Sequence, residues 1–293
     1  MHGQIILTQI ETWLTKLSRG EVELTEEMVD CLTDDIKTSL LRPQKKGFTL
    51  RMSNLGRPFC QLWREKNGGV KVPKREKQQP SIFAAGHMAE AWLMMVMKAA
   101  GVPISDSQTN TKLTIAGDVI NGTSDVSIKY DEEVLWDIKS ASDFSFSKFK
   151  KGYAAIADND AFGYVDQGFL YSRAQGLHFG GWIVINKNNG EVCVCEAPIM
   201  QDILMIETLE RVTAKKIKID TDAPFERGFE DEAETFNRKV TGNRKLCFNC
   251  SWCDYKWDCW PDIDHRAAVF SKAQNPPWVD YTQINNVPQE EAV

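Results

Sequence analysis

Apolar residues recur at helical spacing in some segments of the chain and alternate with polar residues in others. This change of period predicts the order of the elements. Helical spacing predicts two helices within residues 1–40, with Thr25 as the N-cap of the second. It predicts further helices at about 81–100, 161–176 and 199–217.

Alternation typical of strands occupies the middle of the chain. The segments with this pattern are residues 113–120, 123–130, 134–141 and 179–198, the last with the form of a hairpin. The dipeptide Asn121-Gly122 separates the first two segments and predicts a turn. Strands interspersed with helices predict an α/β fold with a mixed central sheet flanked by helices.

Four portions follow from this order of elements. We expect an N-terminal helical portion at 1–79, an α/β core at 80–220 and a cysteine-rich portion at 221–273 that packs back on the core. Residues 274–293 have little core-forming pattern and are expected to be an extended or mobile tail.

Composition and charge narrow the class of protein. The 293 residues are 42% hydrophobic, and no apolar run is long enough to span a bilayer. The first residues lack the features of a signal peptide, so a cytoplasmic protein with reduced thiols is expected. The net charge is −6, but residues 42–77 carry eleven basic residues against two glutamates, a local charge of +9. This basic stretch predicts an anion-binding surface; the alternative is a solvated loop.

Two acids and a lysine are the first candidates for chemistry. Asp137 and Lys139 share one face of a predicted strand, with Ile138 on the other. If this strand pairs with the preceding one, Asp125 approaches the same point. Two carboxylates there need a divalent cation, Mg²⁺ or Mn²⁺, and Lys139 would orient a metal-bound water or stabilise the transition state. The alternative is solvated charge on a strand.

Two predicted helices add pairs of polar residues. His87 and Glu90 lie three residues apart, and Gln167 and Tyr171 lie four apart, so each pair shares a helical face. The imidazole of His87 lies in an apolar stretch and therefore needs a polar partner. That partner is a bound metal or, in the alternative interpretation, a hydrogen-bonding group within the core. The glutamine and the phenol can hold a phosphate or a water.

The order of the motifs G-H-x-x-E, G-x-x-D, D-x-K and Q-x-x-x-Y resembles the RecB-like branch of the PD-(D/E)xK nucleases. The matching positions are His87, Glu90, Asp125, Asp137, Lys139, Gln167 and Tyr171. The resemblance implies a restriction-endonuclease-like core. The implied metal ligands are His87, Asp125, Asp137 and the Ile138 carbonyl. The resemblance also implies that Lys139 is catalytic and that Glu90 belongs to the catalytic residues. Gln167 and Tyr171 would support the site or contact the DNA backbone. Asp118 is the alternative to Asp125 if the strand register differs.

Cysteines cluster near the end of the chain, where Cys250, Cys253 and Cys259 form a C-x₂-C-x₅-C set. Three thiolates are one short of a tetrahedral site. Cys247 can complete a local zinc site, and disulfides are a further interpretation. The iron–sulfur RecB-like nucleases combine such a set with one cysteine upstream of the nuclease motifs, a position that Cys60 has here. The resemblance therefore implies a structural [4Fe–4S] cluster on Cys60, Cys250, Cys253 and Cys259.

The function implied is a metal-dependent DNA exonuclease acting on single-stranded or end-frayed DNA in a bacterial or phage-infected cytoplasm. Because the resemblance extends to CRISPR-associated and phage-encoded nucleases, recombination or CRISPR-type proteins or a second copy of the chain are expected partners. A membrane is not. The alternatives are a non-catalytic DNA-binding or assembly protein with a zinc ribbon, and a structure-specific endonuclease with the same site.

An aromatic and basic segment bears on how DNA would be held. Residues 142–153 interleave aromatic side chains with lysines, which suits stacking on single-stranded bases; a half-buried strand or loop is the alternative. No base-reading helix is evident, so sequence-independent binding is expected.

Overall fold

The computed structural model of the chain describes residues 2–41 and 47–287, without the side chains of residues 74–77. The helices are α1 (Gly3–Ser18), α2 (Glu26–Leu40), α3 (Met52–Leu55), α4 (Phe59–Lys66), α5 (Pro73–Ala99), α6 (Asp143–Lys150), α7 (Tyr153–Ala157), α8 (Tyr164–Gln175), α9 (Asp202–Asp220), α10 (Phe248–Ser251) and α11 (Lys256–Cys259). The strands are β1 (Ile104–Ile115), β2 (Asp118–Lys129), β3 (Glu133–Ala141), β4 (His178–Asn186), β5 (Val192–Glu196), β6 (Asp231–Phe236), β7 (Lys239–Leu246), β8 (Asp264–Ala267) and β9 (Trp278–Gln283). No helix in these ranges is long and apolar enough to cross a membrane.

The central sheet has five strands in the order β1-β2-β3-β4-β5. β1, β2 and β3 pair antiparallel, β3 pairs with β4 in parallel, and β4 pairs with β5 antiparallel. The parallel pair requires a crossover, which α6, α7 and α8 supply. The chain is therefore α/β, with a mixed sheet flanked by helices, as the sequence predicts.

Each face of this sheet packs on its own helices. Trp136 and Ile138 of β3 lie in a cluster with buried residues of α1 and α5. The alternate residues of the strand pack on the other face, Leu135 against α8 and Ala141 against α6. The positions between them on this second face are Asp137 and Lys139. The period of two predicted for the strand is therefore confirmed.

The turn between β1 and β2 is not at the predicted place. It lies at Ala116-Gly117, where both residues have positive φ (48° and 87°), the conformation of a tight hairpin. Asn121 and Gly122 lie inside β2, paired with residues of β1. The prediction of a turn at Asn121-Gly122 was wrong because a packing contact, described below, requires the glycine there.

The first two helices agree with the predicted spacing, and Thr25 caps α2 by accepting a hydrogen bond from the N–H of Met28 at 3.3 Å. The third helix, α5, begins at Pro73 rather than near residue 81. The predicted boundary at 79/80 therefore falls inside a helix. Pro73 occupies the first turn, where proline is tolerated because that N–H has no helical partner.

A second sheet, absent from the prediction, follows the core in the order β6-β7-β9-β8. Its strand β9 pairs with β7 and β8, and its Tyr281 is 1% exposed. The prediction of an extended or mobile tail from residue 274 was wrong for residues 278–283; residues 288–293 lie outside the described part of the chain. The segment was missed because its buried positions include polar groups such as Asp280, which read as surface residues.

Candidate functional site

Strands β2 and β3 separate where the predicted acids lie. Their last antiparallel pair joins Val126 to Trp136. Beyond it, the N–H of Ile138 donates a hydrogen bond to Oδ2 of Asp125 at 2.9 Å. This bond holds the Asp125 carboxylate against β3, close enough for its charge to raise the pKa of Asp137. The two acids therefore converge.

Asp137 is a carboxylate enclosed in protein. Its side chain is 4% exposed, and neither oxygen has a hydrogen-bond partner among the described groups. The Lys139 ammonium lies 2.7 Å from Oδ2 but outside hydrogen-bond geometry, so the two form a contact ion pair. Burial raises the pKa of Asp137 to about 8; the charge of Lys139 opposes this shift and that of Asp125 adds to it. A divalent cation would satisfy these oxygens.

Lys139 is surrounded by opposite charge. Burial alone would lower its pKa, but the charges of Asp137, Asp125 and Glu90 outweigh burial and raise it above its usual value. Its Nζ also lies 5.3 Å from the ring centroid of Tyr164. Because the surrounding negative charge raises its pKa, the Lys139 ammonium stays protonated.

Sequence reasoning missed Tyr164, because nothing in the first residue of a helix distinguishes a tyrosine beside the site from a core aromatic.

Helix α8 brings Gln167 and Tyr171 to this face of the sheet. Burial raises the pKa of Tyr171 to about 12, and the charges of Asp125 and Asp137 add to the shift, whereas the charge of Lys139 opposes it. The phenol is thus a neutral group beside two acids. Its ring passes so close to β2 that a Cβ at Gly122 would lie 2.4 Å from Cε1 of Tyr171. This close approach accounts for the glycine inside the strand.

His87 and Glu90 lie on one face of α5 and contact each other. Nδ1 of His87 is 3.7 Å from Oε2 of Glu90, and the side chains are 42% and 35% exposed. The charge of Glu90 reaches Lys139, so this part of α5 borders the site. Within residues 2–41 and 47–287, no three His, Cys, Asp or Glu side chains are grouped closely enough to hold one metal ion. His87 and the Ile138 carbonyl as further ligands stay predictions.

The alternative acid, Asp118, lies elsewhere. It begins β2 at the hairpin end and forms an ion pair with Lys216 of α9, which also contacts Asp220. Asp125 lies further along β2, where that strand leaves β3. The register of the hairpin therefore places Asp125, and not Asp118, beside Asp137.

Four cysteines from distant parts of the chain line one cavity. Cys60 of α4 lies with Cys250, Cys253 and Cys259 around about 420 Å³ of empty space, which includes solvent at its mouth. Cys247 contacts Cys250 from outside this lining. None of the described cysteines forms a disulfide.

Cations and an indole surround the cavity. Its lining includes Arg64, Arg227 and Lys256, and the guanidinium of Arg227 lies 3.8 Å from the ring centroid of Trp260. The buried indole N–H of Trp260 lies beside Cys250 but makes no hydrogen bond to a described group. Positive charge offsets the charge of four thiolates, and the sulfurs of iron–sulfur clusters accept N–H hydrogen bonds. The residue types of the lining therefore suit such a cluster, but as placed here no three of the described cysteines are grouped closely enough to hold one metal ion.

Of the four cysteines in the cavity, Cys250 is buried and the other three are half-buried. Burial raises the pKa of Cys60, and it raises that of Cys253 to about 12. Because the thiolate is the ligand, metal binding there must displace protons.

The basic stretch is only partly described. Its residues Arg42, Lys45 and Lys46, and the side chains of Lys74, Arg75 and Lys77, lie outside the described residues. Three of the remaining cations form ion pairs: Arg64 with Asp258 at 2.9 Å, Lys66 with Asp222 at 2.5 Å and Arg57 with Glu65 at 3.7 Å. These three stabilise the fold, so less of the positive charge faces solvent than the sequence predicts.

The aromatic and basic segment is helical, forming α6 and the start of α7. The alternative of a strand or loop was therefore wrong. Phe146 and Phe149 are buried at helical spacing, and Tyr153 stacks on Trp182 at 5.9 Å. Phe144 is exposed. Most of the rings expected to stack on bases therefore belong to the core.

Comparison with known proteins gives no family. No protein-family model matches the chain, and no curated protein matches it. One solved structure with some similarity is the crystal structure of SSO0001. It has a TM-score of 0.41 and 14% sequence identity, covering 79% of this chain and 95% of that one. A likeness this weak carries no conclusion about fold or function.

Proposed function

We propose that the chain is a metal-dependent deoxyribonuclease with a restriction-endonuclease-like core and a structural [4Fe–4S] cluster. The observation that carries the proposal is the convergence of Asp125 and Asp137 beside the ammonium of Lys139, 2.7 Å from the second acid. A carboxylate that is buried beside a second acid is unfavourable, and groups with pKa values raised in this way cluster at functional sites.

The residues at this site have separate roles. Asp125 and Asp137 would hold the metal, with His87 and the Ile138 carbonyl completing its ligands. A bound Mg²⁺ or Mn²⁺ supplies a water of lowered pKa and neutralises charge on the phosphate oxygens. Lys139 remains protonated, so its N–H groups donate to the attacking water or to the oxygen that gains charge.

Of the two groups on α8, the half-buried Gln167 amide fits a contact to the DNA backbone, whereas Tyr171 is 3% exposed and would support the site from within the core. Tyr171 keeps its proton because burial raises its pKa to about 12, so the phenol stays neutral beside the two acids. Glu90 adds negative charge near Lys139 and helps to keep it protonated.

The cluster would be held by Cys60, Cys250, Cys253 and Cys259. Its role would be structural, since it would join α4 to the loop that carries α10 and α11, and hydrolysis transfers no electron. The cations of the lining support this assignment, because they balance the charge of the thiolates.

Digestion of end-labelled DNA tests the proposed activity. With Mn²⁺, we expect the chain to degrade single-stranded or frayed ends without sequence preference and to spare circles that have no ends. Lys139→Ala should reduce cleavage by about 10²- to 10³-fold, the effect of removing a group that stabilises developing charge. The control is Asp118→Asn, an acid on β2 like Asp125 but outside the site, which should cleave at the normal rate. Normal cleavage by Lys139→Ala would remove the assignment of the site.

A second candidate is a non-catalytic DNA-binding or assembly protein with a zinc site. The contact between Cys247 and Cys250 favours it, since these two thiols with Cys253 and Cys259 form a local set of four. Anaerobic purification distinguishes the two. The nuclease should be brown and contain iron, whereas the zinc protein should be colourless. A structure-specific endonuclease would use the same acids and would cut circular branched DNA.

A further inference from the structure

Three aromatic rings form an exposed row between the central fold and the cysteine-rich loop. Phe144 of α6 lies 6.0 Å from Phe248 of α10, and Phe248 lies 6.2 Å from Trp252, centroid to centroid. Phe144 is 56% exposed and Trp252 is 42% exposed. Phe144, Phe248 and Trp252 are called the aromatic platform below. Single exposed rings are ordinary on protein surfaces, but neighbouring exposed rings that form one patch more often mark a binding site.

A lysine is fixed within the aromatic platform. The Lys148 ammonium lies 3.6 Å from the ring centroid of Phe248 and 5.2 Å from that of Phe144. Burial lowers the pKa of Lys148, and the charge of Asp158 opposes that shift. A cation held against ring faces lies where the phosphate beside a stacked base would need it.

The aromatic platform lies close to the acidic site along the chain. Phe144 follows Lys139 by five residues, and β3 ends between them at Ala141. At 3.8 Å between consecutive Cα atoms, the two Cα atoms are at most about 19 Å apart. At the ~3.4 Å spacing of nucleotides along one strand, that distance corresponds to at most about six nucleotides. One short strand can therefore reach both.

We propose that the aromatic platform stacks the bases of single-stranded DNA whose backbone passes the acidic site. This inference rests on the proposed nuclease function and specifies its substrate. Bases in a duplex are already stacked on their neighbours and cannot stack on the exposed rings of Phe144 and Trp252, whereas those of a single strand or a frayed end can. The platform would therefore make the enzyme prefer unpaired DNA. It would also keep that preference independent of sequence, because every base has a π face.

Binding measurements in a cleavage-deficient background test the proposal. In Lys139→Ala protein, fluorescence anisotropy compares an oligo-dT strand with a strand of the same length made of abasic sugars. Adding Phe144→Ala should weaken binding to oligo-dT by about 5- to 100-fold, the usual effect of removing one stacking ring. It should leave binding to the abasic strand unchanged, because that strand has only backbone.

Three further variants serve as controls. Phe144→Tyr retains a ring and should bind oligo-dT like the parent, which separates stacking from any effect on folding. Trp278→Ala removes a tryptophan that is 67% exposed and lies outside the aromatic platform, and it should not change binding. Lys148→Met should weaken binding to both strands and reduce the slope of log K against log salt by about one unit.

Each outcome supports or overturns the proposal. Loss of binding to oligo-dT alone supports it. Binding within twofold of the parent, or equal loss on both strands, overturns it and favours a protein partner for the rings. If the wild type cuts DNA while Phe144→Ala binds normally, only the aromatic platform is wrong. If the parent binds through the platform but the wild type does not cut, only the nuclease function is wrong. A parent that binds no single strands contradicts both.

Discussion

The acidic site and the cysteine cavity are assembled from the chain in opposite ways. Asp125, Asp137 and Lys139 come from two neighbouring strands within residues 118–141, and their geometry follows from one hairpin and one alternation. The cavity instead joins Cys60 to residues 250–259, from the other end of the chain. The acidic site therefore depends on neighbouring parts of the sequence, whereas the cysteine cavity depends on the complete fold.

The energetics of the two sites also differ. The acidic site concentrates buried charge, which costs folding free energy and which the proposed function would use for chemistry. The cysteine cavity would add stability, because a cluster that binds only the folded chain stabilises it. Variants of the first should therefore lose activity and keep stability, and variants of the second should lose stability.

The largest effect is expected from Cys60→Ser. Without the distant thiol the cluster should not assemble, so iron and visible absorption should be lost. The free energy of unfolding should fall by at least about 4 kcal/mol, in the range of lost metal sites. Iron analysis and denaturant unfolding measure both. Cys247→Ser is the control and should retain iron; the reverse pattern would favour a local zinc site.

Asp137→Asn should separate activity from stability. The amide keeps the shape of the side chain but removes the charge that would hold the metal, so single-turnover cleavage should fall by about 10²- to 10³-fold. Stability should change by less than about 1 kcal/mol, because the costly buried carboxylate is lost while Lys139 keeps Asp125 and Glu90 as neighbouring opposite charges. The control is Asp131→Asn, an acid that is 94% exposed and should cleave normally. Equal cleavage by both variants would contradict the site.

Asp280→Ala tests how far the cysteine cavity depends on the second sheet. Asp280 on β9 forms an ion pair with Lys256, which lines the cavity, and both side chains are at most 10% exposed. Removing one partner of a buried pair leaves the other charge uncompensated, so the free energy of unfolding should fall by about 3 kcal/mol. Asp264→Ala breaks an exposed pair with Arg266 and should cost less than about 1 kcal/mol. Urea titrations compare the two variants. Equal losses of stability would show that the pair of Asp280 and Lys256 does not support the cysteine cavity.

Gly122→Ala should have the smallest effect, and it should lower both stability and cleavage. The new methyl group meets the ring of Tyr171 and should cost about 1–3 kcal/mol of stability by overpacking. Cleavage should fall as the phenol moves. A double-mutant cycle with Tyr171→Ala checks the cause, because the methyl group should cost less once the ring is absent. An unchanged cost would point to strain in β2 instead.

The parts of the fold that local rules determine were predictable from the sequence. Thr25 at a helix start and the alternation of Asp137, Ile138 and Lys139 depend on a few neighbouring residues, and the structure agrees with both. The turn at Asn121-Gly122 failed because the contact of Gly122 with Tyr171 is tertiary and leaves no trace in the local pattern.

Burial of polar groups explains the other misses. The second sheet buries Glu234 and Asn243, which hydrogen-bond each other, so its strands lack the apolar alternation used to find strands. The lining of the cysteine cavity is likewise beyond local reasoning. Spacing identified Cys250, Cys253 and Cys259, but only a resemblance pointed to Cys60, which the fold brings to the same cavity.

The separation of Cys60 from Cys250 along the chain also determines when the thiols of the cavity become available during synthesis. At the usual ~5–20 residues per second, the ribosome releases the second thiol about 10 to 40 s after the first. During that interval the early thiol belongs to a nascent chain that cannot yet complete the cavity. Iron delivered before the last of these thiols is made would meet an incomplete set of the four proposed ligands, so assembly of the proposed cluster should be post-translational and sensitive to premature termination anywhere before residue 259.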